Sequence, residues 1–321
     1  MTHAAPPWSV SVVVPVFNAS ATVAAAVRSV LDQRVPAALA HLREVVVVDD
    51  ASTEAAPPED PAGPLAAALA SVGDPRVRRV RRATNGGPAA ARTRGVAETT
   101  GDLLAFVDAD DLWLPGKLEA QCRALRDAPH AGVAYGWVDV VDEAGAVVQA
   151  DQRATHSGDV YAHLLRANFI YSGSNVVVRR PVFDAVGGFD VRLRAVEDWE
   201  LHTRLARATP FACVPRVLVH YRRHPRSLTR QFDVMERAFR TASEAVYAGA
   251  PPRLRPLRES ASAEFYAHLA RRARSGRPRA WRPALRYAAL ASWHRLRALA
   301  RGRPGLASGP PRPQRPPSPP P

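Results

Sequence analysis

Cysteine, lysine and long apolar runs are scarce in this sequence of 321 residues. The two cysteines, Cys122 and Cys213, lie far apart and form no CxxC pattern, so the sequence suggests neither a disulfide framework nor a zinc site, and a reducing compartment fits. Lys117 is the one lysine. No run of about eighteen apolar residues occurs, and the N-terminal MTHAAPPWSV lacks the basic and apolar regions of a signal peptide. We therefore expect a cytoplasmic protein that does not span a membrane.

The charge is strongly positive, and arginine carries it. Lysine and arginine number 44 against 30 aspartates and glutamates, so the net charge is +14. Such an excess favours anionic partners, which include phosphates, nucleic acid and an acidic membrane surface. No stacking-aromatic pattern or recognition-helix motif accompanies the charge, so we expect no nucleic-acid partner. The composition, 46% hydrophobic and 23% charged, is that of a folded chain, and the length suits one large α/β domain with an appendage.

The N-terminal third alternates between apolar runs and helical segments. The runs are rich in β-branched residues, as in strands buried on both faces of a parallel sheet, and they cover residues 10–16, 44–50, 77–80 and 103–111. One helix is expected to run to Asp32, with Asn18 or Ser20 as its cap. A second helix is expected to begin near Pro88 and to end at Gly101. This rhythm predicts an α/β fold with a mostly parallel sheet flanked by helices, and a ligand crevice beyond the carboxyl ends of the strands.

The pattern changes after Pro129. Residues 133–149 form two β-like runs around a short turn, which predicts a hairpin added to the parallel strands. A short helix, a strand and a final strand are expected at 161–166, 174–180 and 211–224. Between the two strands, a helix that Asp198 can cap would place on one face Leu201, Leu205 and Ala208.

The C-terminal part of the chain, from about 232 to 301, is helical in pattern and rich in alanine, arginine and leucine. Its clearest segment, AWRPALRYAALASWHRLRALAR, puts an apolar stripe on one face, formed by Trp281, Leu285, Ala288, Leu296 and Leu299. Arginines lie roughly opposite, namely Arg279, Arg286, Arg297 and Arg301. The stripe fits a helix that covers the core, or a peripheral contact with the inner face of a membrane.

Three carboxylates collect in the stretch FVDADDLWLPGKL, where the fourth strand ends. Asp108, Asp110 and Asp111 repel one another, so positive charge is required nearby, from arginines, helix N-termini or a divalent cation. Oxygen donors are the ligands that Mg²⁺ and Mn²⁺ prefer, and substrate phosphates often complete the coordination. The alternative is structural: Asp111 caps a helix that begins near Leu114, and Asp108 only ends a strand.

Several stretches of the sequence resemble those of the family 2 glycosyltransferases, and they occur in the order typical of that family. They are SVVVPVFNAS, VVVVDDAST, NGGPAAARTRG leading into GDLLAFVDADDLW, GGFD followed by EDWEL, and YRRHPRSLT. The resemblance covers about residues 8–230 and implies an inverting enzyme of the GT-A fold that uses a nucleotide-sugar donor. We therefore expect a GT-A domain at 1–230, a C-terminal helical region at 231–301, and a disordered tail, rich in proline and arginine, at 302–321.

The resemblance implies a nucleotide-binding set that consists of Pro15, Phe17, Asn18, Asp50, Arg92 and Asp108. Asp50 matches the aspartate that contacts the nucleoside base, and Asp108 matches the first aspartate of the D-x-D motif, near the ribose. Arg92 matches the arginine of an A-R-N pattern. Thr93 follows it where asparagine is common, which is a departure from the family.

The resemblance also implies a metal site and a general base. Asp110 matches the last aspartate of D-x-D, which ligates Mn²⁺ or Mg²⁺, and His224 matches a late histidine near the metal and the diphosphate, with His220 as the alternative. Asp198 matches the aspartate of the E-D motif, which removes the proton of the acceptor hydroxyl. Such a base is needed because a sugar hydroxyl is a poor nucleophile until its proton is being removed. As an alternative or additional role, Asp198 caps its helix.

These predictions together favour a metal-dependent transfer of sugar, with a UDP-sugar as the expected donor and a glycan or lipid-linked acceptor, in the synthesis of cell-surface polysaccharide or glycolipid. Glu197 and Trp199 are expected to shape the acceptor pocket, and Arg222 and Arg223 to neutralise phosphate. Two alternatives remain: a binding protein without turnover, and a sugar nucleotidyltransferase. The glycine-rich basic signature of the latter is missing after the first strand.

Overall fold

One sheet flanked by helices accounts for most of the computed structural model, which describes residues 6–54, 63–151, 153–224, 227–274 and 281–300. The strands found in these ranges are β1 (Trp8–Val16), β2 (Ala40–Asp49), β3 (Val77–Arg81), β4 (Leu103–Phe106), β5 (Leu112–Trp113), β6 (Val133–Val141), β7 (Val147–Asp151), β8 (Val177–Arg179) and β9 (Phe211–Arg222). The helices are α1 (Ser20–Leu31), α2 (Pro64–Ala70), α3 (Pro88–Ala97), α4 (Lys117–Asp127), α5 (Tyr161–Arg166), α6 (Arg180–Ala185), α7 (Glu197–Ala208), α8 (Phe232–Ala248), α9 (Leu257–Arg274) and α10 (Trp281–Ala300).

Strands β3, β2, β1 and β4 are neighbours in that order, and all run parallel. Val12 of β1 pairs with Val45 of β2 on one side and with Ala105 of β4 on the other. The apolar runs of these strands are buried because helices cover both faces of the sheet. The predicted parallel strands are confirmed, and the carboxyl ends of β1, β2 and β4 lie along one edge.

The second half of the sheet is mixed. β8 runs antiparallel to β4, β6 runs antiparallel to β8, and β9 runs parallel to β6. β6 and β7 form the predicted hairpin, whose turn holds Gly145 at a φ of +87°, a conformation that glycine adopts without strain. β5 pairs with β9 through Leu112 and His220. The α/β class with flanking helices is confirmed, while the short elements α2, α6 and β5 were not predicted.

Side-chain caps predicted for two helices are wrong. The N-cap of α1 is Ala19, without a side-chain bond; Asn18 precedes it at a φ of +52°, and Ser20 is already the first helical residue. α4 begins behind Gly116, which adopts a left-handed conformation, so Asp111 lies too far upstream to cap it. In both helices the turn of the backbone, and not a capping side chain, fixes where the helix begins.

The start of α7 also differs from the prediction. Its N-cap is Val196, at a φ of +63°, and Asp198 occupies the second helical position. Leu201 and Leu205 are buried as predicted, whereas Ala208 is exposed because it is the last residue of the helix and lies beyond the core. Asp198 is therefore not the helix cap.

The C-terminal helices pack against the sheet domain. Leu165 and Trp199 share an apolar core with Phe239 of α8 and Leu257 of α9. No helix within the described ranges combines the length and the apolar character needed to cross a membrane. The predicted tail at 302–321 lies outside the described residues.

Helix α10 packs on α9 with a face other than the expected one. The buried side chains of α10 are Ala284, Tyr287 and Ala291. The stripe predicted to cover the core points outward, with exposed fractions of 62%, 64%, 67% and 64% for Trp281, Leu285, Leu296 and Leu299. That prediction is wrong because the face with Tyr287 and Ala291 packs into the apolar cluster of α8 and α9. Arg279 and Arg301 lie outside the described residues.

The single lysine lies in the core. Lys117 is fully buried at the start of α4, donates to Gln121 Oε1 at 2.6 Å, and lies 3.9 Å from the centre of the Trp113 ring. Burial lowers its pKa to about 7. Cys122 is buried, Cys213 is partly exposed, and neither forms a disulfide.

Candidate active site

A cavity of about 930 Å³ opens at the edge where β1, β2 and β4 end. This volume lies at the upper end of the usual range for ligand sites, about 300–1,000 Å³. The nine residues that the sequence analysis assigned to the nucleotide, the metal or the general base line the cavity, namely Pro15, Phe17, Asn18, Asp50, Arg92, Asp108, Asp110, Asp198 and His224. The predicted crevice is confirmed, and the structure brings the predicted residues together in one place.

Asp50 follows β2 and fastens the turn that precedes α3. Its carboxylate accepts hydrogen bonds from Gly87 N at 2.7 Å and from Gly86 N at 3.1 Å, and it forms an ion pair with Arg82. Gly87 has a φ of +85°, so this turn requires glycine. Gly86 N contacts both oxygens, so each carboxylate oxygen of Asp50 has two contacts, and a carboxylate has about four acceptor positions in all. Asp50 is therefore the buried anchor of this turn and also lines the cavity.

Phe17 and Asn18 form the loop after β1. The Phe17 side chain is 47% exposed beside the cavity, an uncommon position for a large aromatic ring. Asn18 Oδ1 accepts from Thr53 N at 2.7 Å, and Asn18 N donates to Ser52 Oγ at 3.1 Å. Asn18 thus joins the loops after β1 and β2, while the ring of Phe17 stays available for stacking.

Asp111 is the buried anchor of the acidic loop. Ser174 Oγ donates to its Oδ2 at 2.6 Å, and Arg222 N donates to its Oδ1 at 3.0 Å. Burial and the neighbouring carboxylates of Asp110 and Asp108 raise the pKa of Asp111 well above its usual value. Asp108 N in turn donates to Ser174 Oγ at 3.0 Å. No sequence motif pointed to this serine, which lies in the 3-10 helix Gly173–Asn175 and holds both ends of the loop.

Arg92 is buried on α3 between two carboxylates. It forms ion pairs with Asp108 and, at 2.5 Å, with Glu197 Oε1, so it connects the acidic loop to the first residue of α7. Burial alone would lower its pKa, but the two carboxylates outweigh burial and raise it. The guanidinium that was expected to bind nucleotide is thus already neutralised within the protein, although it lines the cavity.

Asp110 and His224 are in contact with each other at the floor of the cavity. Asp110 Oδ2 lies 2.9 Å from His224 Nε2, and each side chain is about a quarter exposed. Within the described ranges no group of three or more His, Cys, Asp or Glu side chains closes around one point, so the protein offers a cation two ligands here. That number fits Mg²⁺ or Mn²⁺, which often take one or two side chains and obtain their other ligands from water and phosphate.

Asp198 extends into the cavity from the first turn of α7. Its Oδ1 accepts from Trp199 N at 2.7 Å, and its Oδ2 lies 3.5 Å from Asn168 Nδ2. Burial, followed by the nearby charge of Glu197, raises the pKa of Asp198 to about 7. A carboxylate with this pKa is about half ionised at neutral pH, which suits a group that takes up a proton during a reaction.

Two of the four residues expected to support the site line the cavity. Glu197 and Trp199 do so, whereas Arg222 and Arg223 do not. Arg222 Nε donates to the Asp110 carbonyl oxygen, and Arg223 donates to the Tyr171 hydroxyl. Neither arginine lines the cavity, and their predicted contact with phosphate stays a prediction. His220, the alternative to His224, pairs within the sheet and does not line the cavity.

The far wall of the cavity comes from helices that the sequence did not connect with the site. Met235 and Phe239 of α8 contribute apolar surface, and α9 contributes Phe265, His268 and Arg272. Burial, together with nearby arginines, lowers the pKa of His268 to about 4, so this imidazole is neutral at physiological pH. The cavity therefore has an acidic floor at the strand ends and a partly apolar wall from the C-terminal helices.

Solved structures of the same fold support this architecture. S. aureus TarS, in complex with UDP, has a TM-score of 0.54 and 18% identity, covering 91% of this chain and 88% of that chain. The mannosyltransferase PcManGT from Pyrobaculum calidifontis, in complex with GDP-Man and Mn²⁺, has a TM-score of 0.54 and 21% identity, covering 92% of this chain and 90% of that chain. At these identities the similarity establishes the fold alone, which is the GT-A glycosyltransferase fold with C-terminal helices.

Sequence relatives identify the family. The succinoglycan biosynthesis protein ExoU of Rhizobium meliloti is 31% identical over 221 residues, which are 63% of this chain and 58% of that protein. The chain spans about half the length of the first curated relatives that it matches. The profile of the family described as "Glycosyltransferase like family 2" matches residues 11–248. The chain therefore belongs to the family 2-like glycosyltransferases.

Proposed function

We propose that this chain transfers a sugar from a nucleoside-diphosphate sugar to an acceptor hydroxyl, with inversion at the anomeric carbon. One observation carries the proposal: the site residues named from the sequence, which are scattered between Pro15 and His224, line a single cavity within the region that matches the family. The proposal takes residues 1–230 as the catalytic domain. Within the predicted helical region at 231–301, α8 and α9 supply the second wall of the cavity.

Asp198 has the chemistry of the general base. Its pKa of about 7 lets it accept the proton of the acceptor hydroxyl while that oxygen forms its bond to the anomeric carbon. The bond between this carbon and the diphosphate oxygen breaks on the opposite face, and its electron pair leaves with the nucleoside diphosphate. The hydrogen bond from Trp199 N fixes one carboxylate oxygen of Asp198, so the other faces the acceptor.

The nucleotide would lie at the ends of β1, β2 and β4. Phe17 offers an aromatic ring for stacking, and Asp50, which lines the cavity at the end of β2, would contact the base. In this proposal Arg92 is a positioning residue. Its two ion pairs hold Asp108 of the acidic loop next to Glu197, which precedes the proposed general base, Asp198.

A divalent cation would be held by Asp110, by His224 and by the diphosphate of the donor. When bound, Mn²⁺ or Mg²⁺ supplies positive charge that stabilises the departing diphosphate. The oxygen and imidazole donors fit Mn²⁺ in particular, and the PcManGT complex contains this ion. The short contact between Asp110 and His224 supports this assignment, because the two side chains reach one point.

The choice of donor and acceptor is based on the similar proteins and on the wall of the cavity. UDP-sugar is the first choice, since TarS binds UDP and UDP-GlcNAc, and a GDP-sugar is second, because PcManGT binds GDP-Man. The name of ExoU favours a role in polysaccharide synthesis. The apolar wall from α8 and α9 suits an acceptor with an apolar part, such as a lipid-linked glycan, which would bring the enzyme to the inner face of a membrane.

A screen of nucleotide sugars tests the proposal. The purified chain would be incubated with each donor, with and without Mn²⁺, and release of nucleoside diphosphate would be measured. We expect release from one donor class, dependent on the cation and lost in the Asp198→Asn variant. Donor binding without release would identify a binding protein, and formation of a nucleotide sugar from a sugar phosphate and a nucleoside triphosphate would identify a nucleotidyltransferase. Either result overturns the proposal.

A further inference from the structure

Helix α10 exposes large apolar side chains along one face. Trp281, Leu285, Leu296 and Leu299 fall within an arc of about 60° at 100° per residue, and Trp293, which is 48% exposed, stands beside them. Nine large apolar side chains are exposed in the described residues, and five of them belong to this helix. We call these five residues the α10 apolar face. Exposed apolar side chains that are concentrated in one patch usually mark a surface that binds a partner.

The charge around this face is of one sign. α10 contains no aspartate or glutamate, and it carries Arg282, Arg286, Arg295 and Arg297. Arg286 and Arg297 form ion pairs with glutamates of α8 and α9, whereas Arg282 and Arg295 are exposed at the borders of the apolar face. The sequence that follows, 301–321, adds four arginines and no acidic residue. A partner for this surface must therefore be apolar at its centre and negative at its edges.

The rest of this chain does not supply such a partner. The residues that the structure leaves undescribed include only Met1 and Leu306 as large apolar side chains, too few to cover five exposed ones. A second copy of the helix is disfavoured as well, because a symmetric contact would bring the arginines of both copies together. An anionic lipid surface satisfies both requirements, since it accepts apolar side chains and attracts arginine through its phosphates.

We propose that the α10 apolar face docks on a membrane surface that contains anionic lipids. Trp281 and Trp293 lie at the level of the headgroups, a preferred position for tryptophan, and the leucines enter the acyl boundary. Arg282 and Arg295 contact headgroup phosphates on either side.

Docking through α10 would place the cavity close to the lipid. α9 lies between them: Ala267, Leu269 and Ala270 pack with α10, whereas Phe265 and His268 line the cavity. One helix, α9, therefore separates the docked helix from the cavity, and packed helix axes are about 8–10 Å apart. This part of the inference rests on the proposed function, because it makes a lipid-linked acceptor the substrate class. The docking itself does not depend on sugar transfer.

Vesicle sedimentation with the full chain tests the docking. One set of vesicles consists of phosphatidylcholine alone, and the other of phosphatidylcholine and phosphatidylglycerol in equal parts. We expect sedimentation with the anionic set only, weakening as salt is raised. The double variant Leu285→Glu/Leu296→Glu should lower the ratio of bound to free protein at least about tenfold, because two charges enter the apolar boundary. The double variant Arg282→Gln/Arg295→Gln should weaken binding and reduce its dependence on salt.

The control is Val148→Glu, which places the same charge at another exposed apolar residue, 54% exposed on β7, and should bind like the parent. Melting temperatures near that of the parent are expected throughout, since all these side chains are exposed; Leu285→Ser/Leu296→Ser serves as a second variant if the glutamates disturb folding. Absence of binding to anionic vesicles, or full binding by the apolar-face variants, overturns the proposal. So does a dimer in sedimentation equilibrium that these variants dissociate. Failure of the donor screen alone would leave the docking result standing.

Discussion

Replacing Asp198 by asparagine separates the catalytic role of this side chain from its effect on stability. The substitution keeps the shape of the side chain and its hydrogen bond from Trp199 N, but the amide cannot take up a proton. For the loss of a general base we expect turnover to fall roughly 10²–10⁴-fold. Affinity for the nucleoside diphosphate should stay unchanged, because the proposed function places Asp198 on the acceptor side of the cavity. Turnover of the parent should rise with pH through about 7, the pKa of this carboxyl.

The same change should make the protein more stable at alkaline pH. The pKa of Asp198 is raised from 3.8 to about 7, so between these values the folded chain holds a proton that the unfolded chain has released. Stability therefore falls as pH rises through this window. The difference corresponds to at most roughly 4 kcal/mol, and to less because the side chain is partly exposed to cavity water. The neutral amide of the Asp198→Asn variant would carry no such cost, and this variant should melt at a higher temperature than the parent at about pH 8.

Glu200→Gln is the matched control. Glu200 lies two residues further along α7, forms an ion pair with Arg204 at 2.6 Å, and does not line the cavity, so its amide variant should keep the parental turnover. The assay measures sugar transfer, nucleotide affinity and melting temperature for both variants. If Asp198→Asn transfers sugar at close to the parental rate, the reasoning is refuted, and Glu197 becomes the next candidate base.

Four further substitutions test other parts of the site and its support. Asp110→Asn should abolish Mn²⁺-dependent turnover and the rise in melting temperature that Mn²⁺ produces in the parent; an unchanged thermal response would contradict the metal assignment. Asp50→Ala should weaken binding of nucleoside diphosphate by roughly 1–3 kcal/mol in titration calorimetry, and equal affinity would exclude its role. Arg92→Met should lower the free energy of unfolding by about 3–5 kcal/mol in denaturant titration, because two carboxylates lose their partner; a loss smaller than about 1 kcal/mol would argue against that coupling. Lys117→Met should remove the increase in stability from about pH 7 to pH 10, where the unfolded chain holds a proton that the folded chain has released; melting curves that keep the increase would contradict the lowered pKa.

Local pattern predicted the parallel half of the sheet because each strand there is a nearly continuous apolar run. The directions of β8 and β9 were not predictable in this way, since they depend on connections of many residues and on which edge of the sheet remains open. The predicted N-terminal caps of α1 and α7 were wrong for a related reason. Ala19 and Val196 have no capping side chain, and the turns that place them depend on contacts made far along the chain.

Site residues that belong to recognisable sequence motifs were predictable. Residues that hold the site in place through contacts between distant parts of the chain were not. Asp50, Asp110 and Asp198 could be named from sequence because they follow strands or begin a helix within familiar stretches. Ser174 could not, because its bonds to the acidic loop join residues more than sixty positions apart. For α10, periodicity correctly grouped the residues of one face, but it cannot tell which face packs on α9.

The late position of β9 in the chain has a consequence for synthesis on the ribosome. β9 lies between β6 and β5 in the sheet, and Arg222 at its end provides the backbone N–H that binds Asp111. A nascent chain that has emerged only as far as the acidic loop contains the four parallel strands, but it lacks the anchor that Arg222 provides to Asp111 and also lacks His224. The two side chains proposed to hold the cation, Asp110 and His224, are therefore brought together only after residue 224 has been translated. A shorter nascent chain has the strand ends that form the crevice but not this pair of side chains.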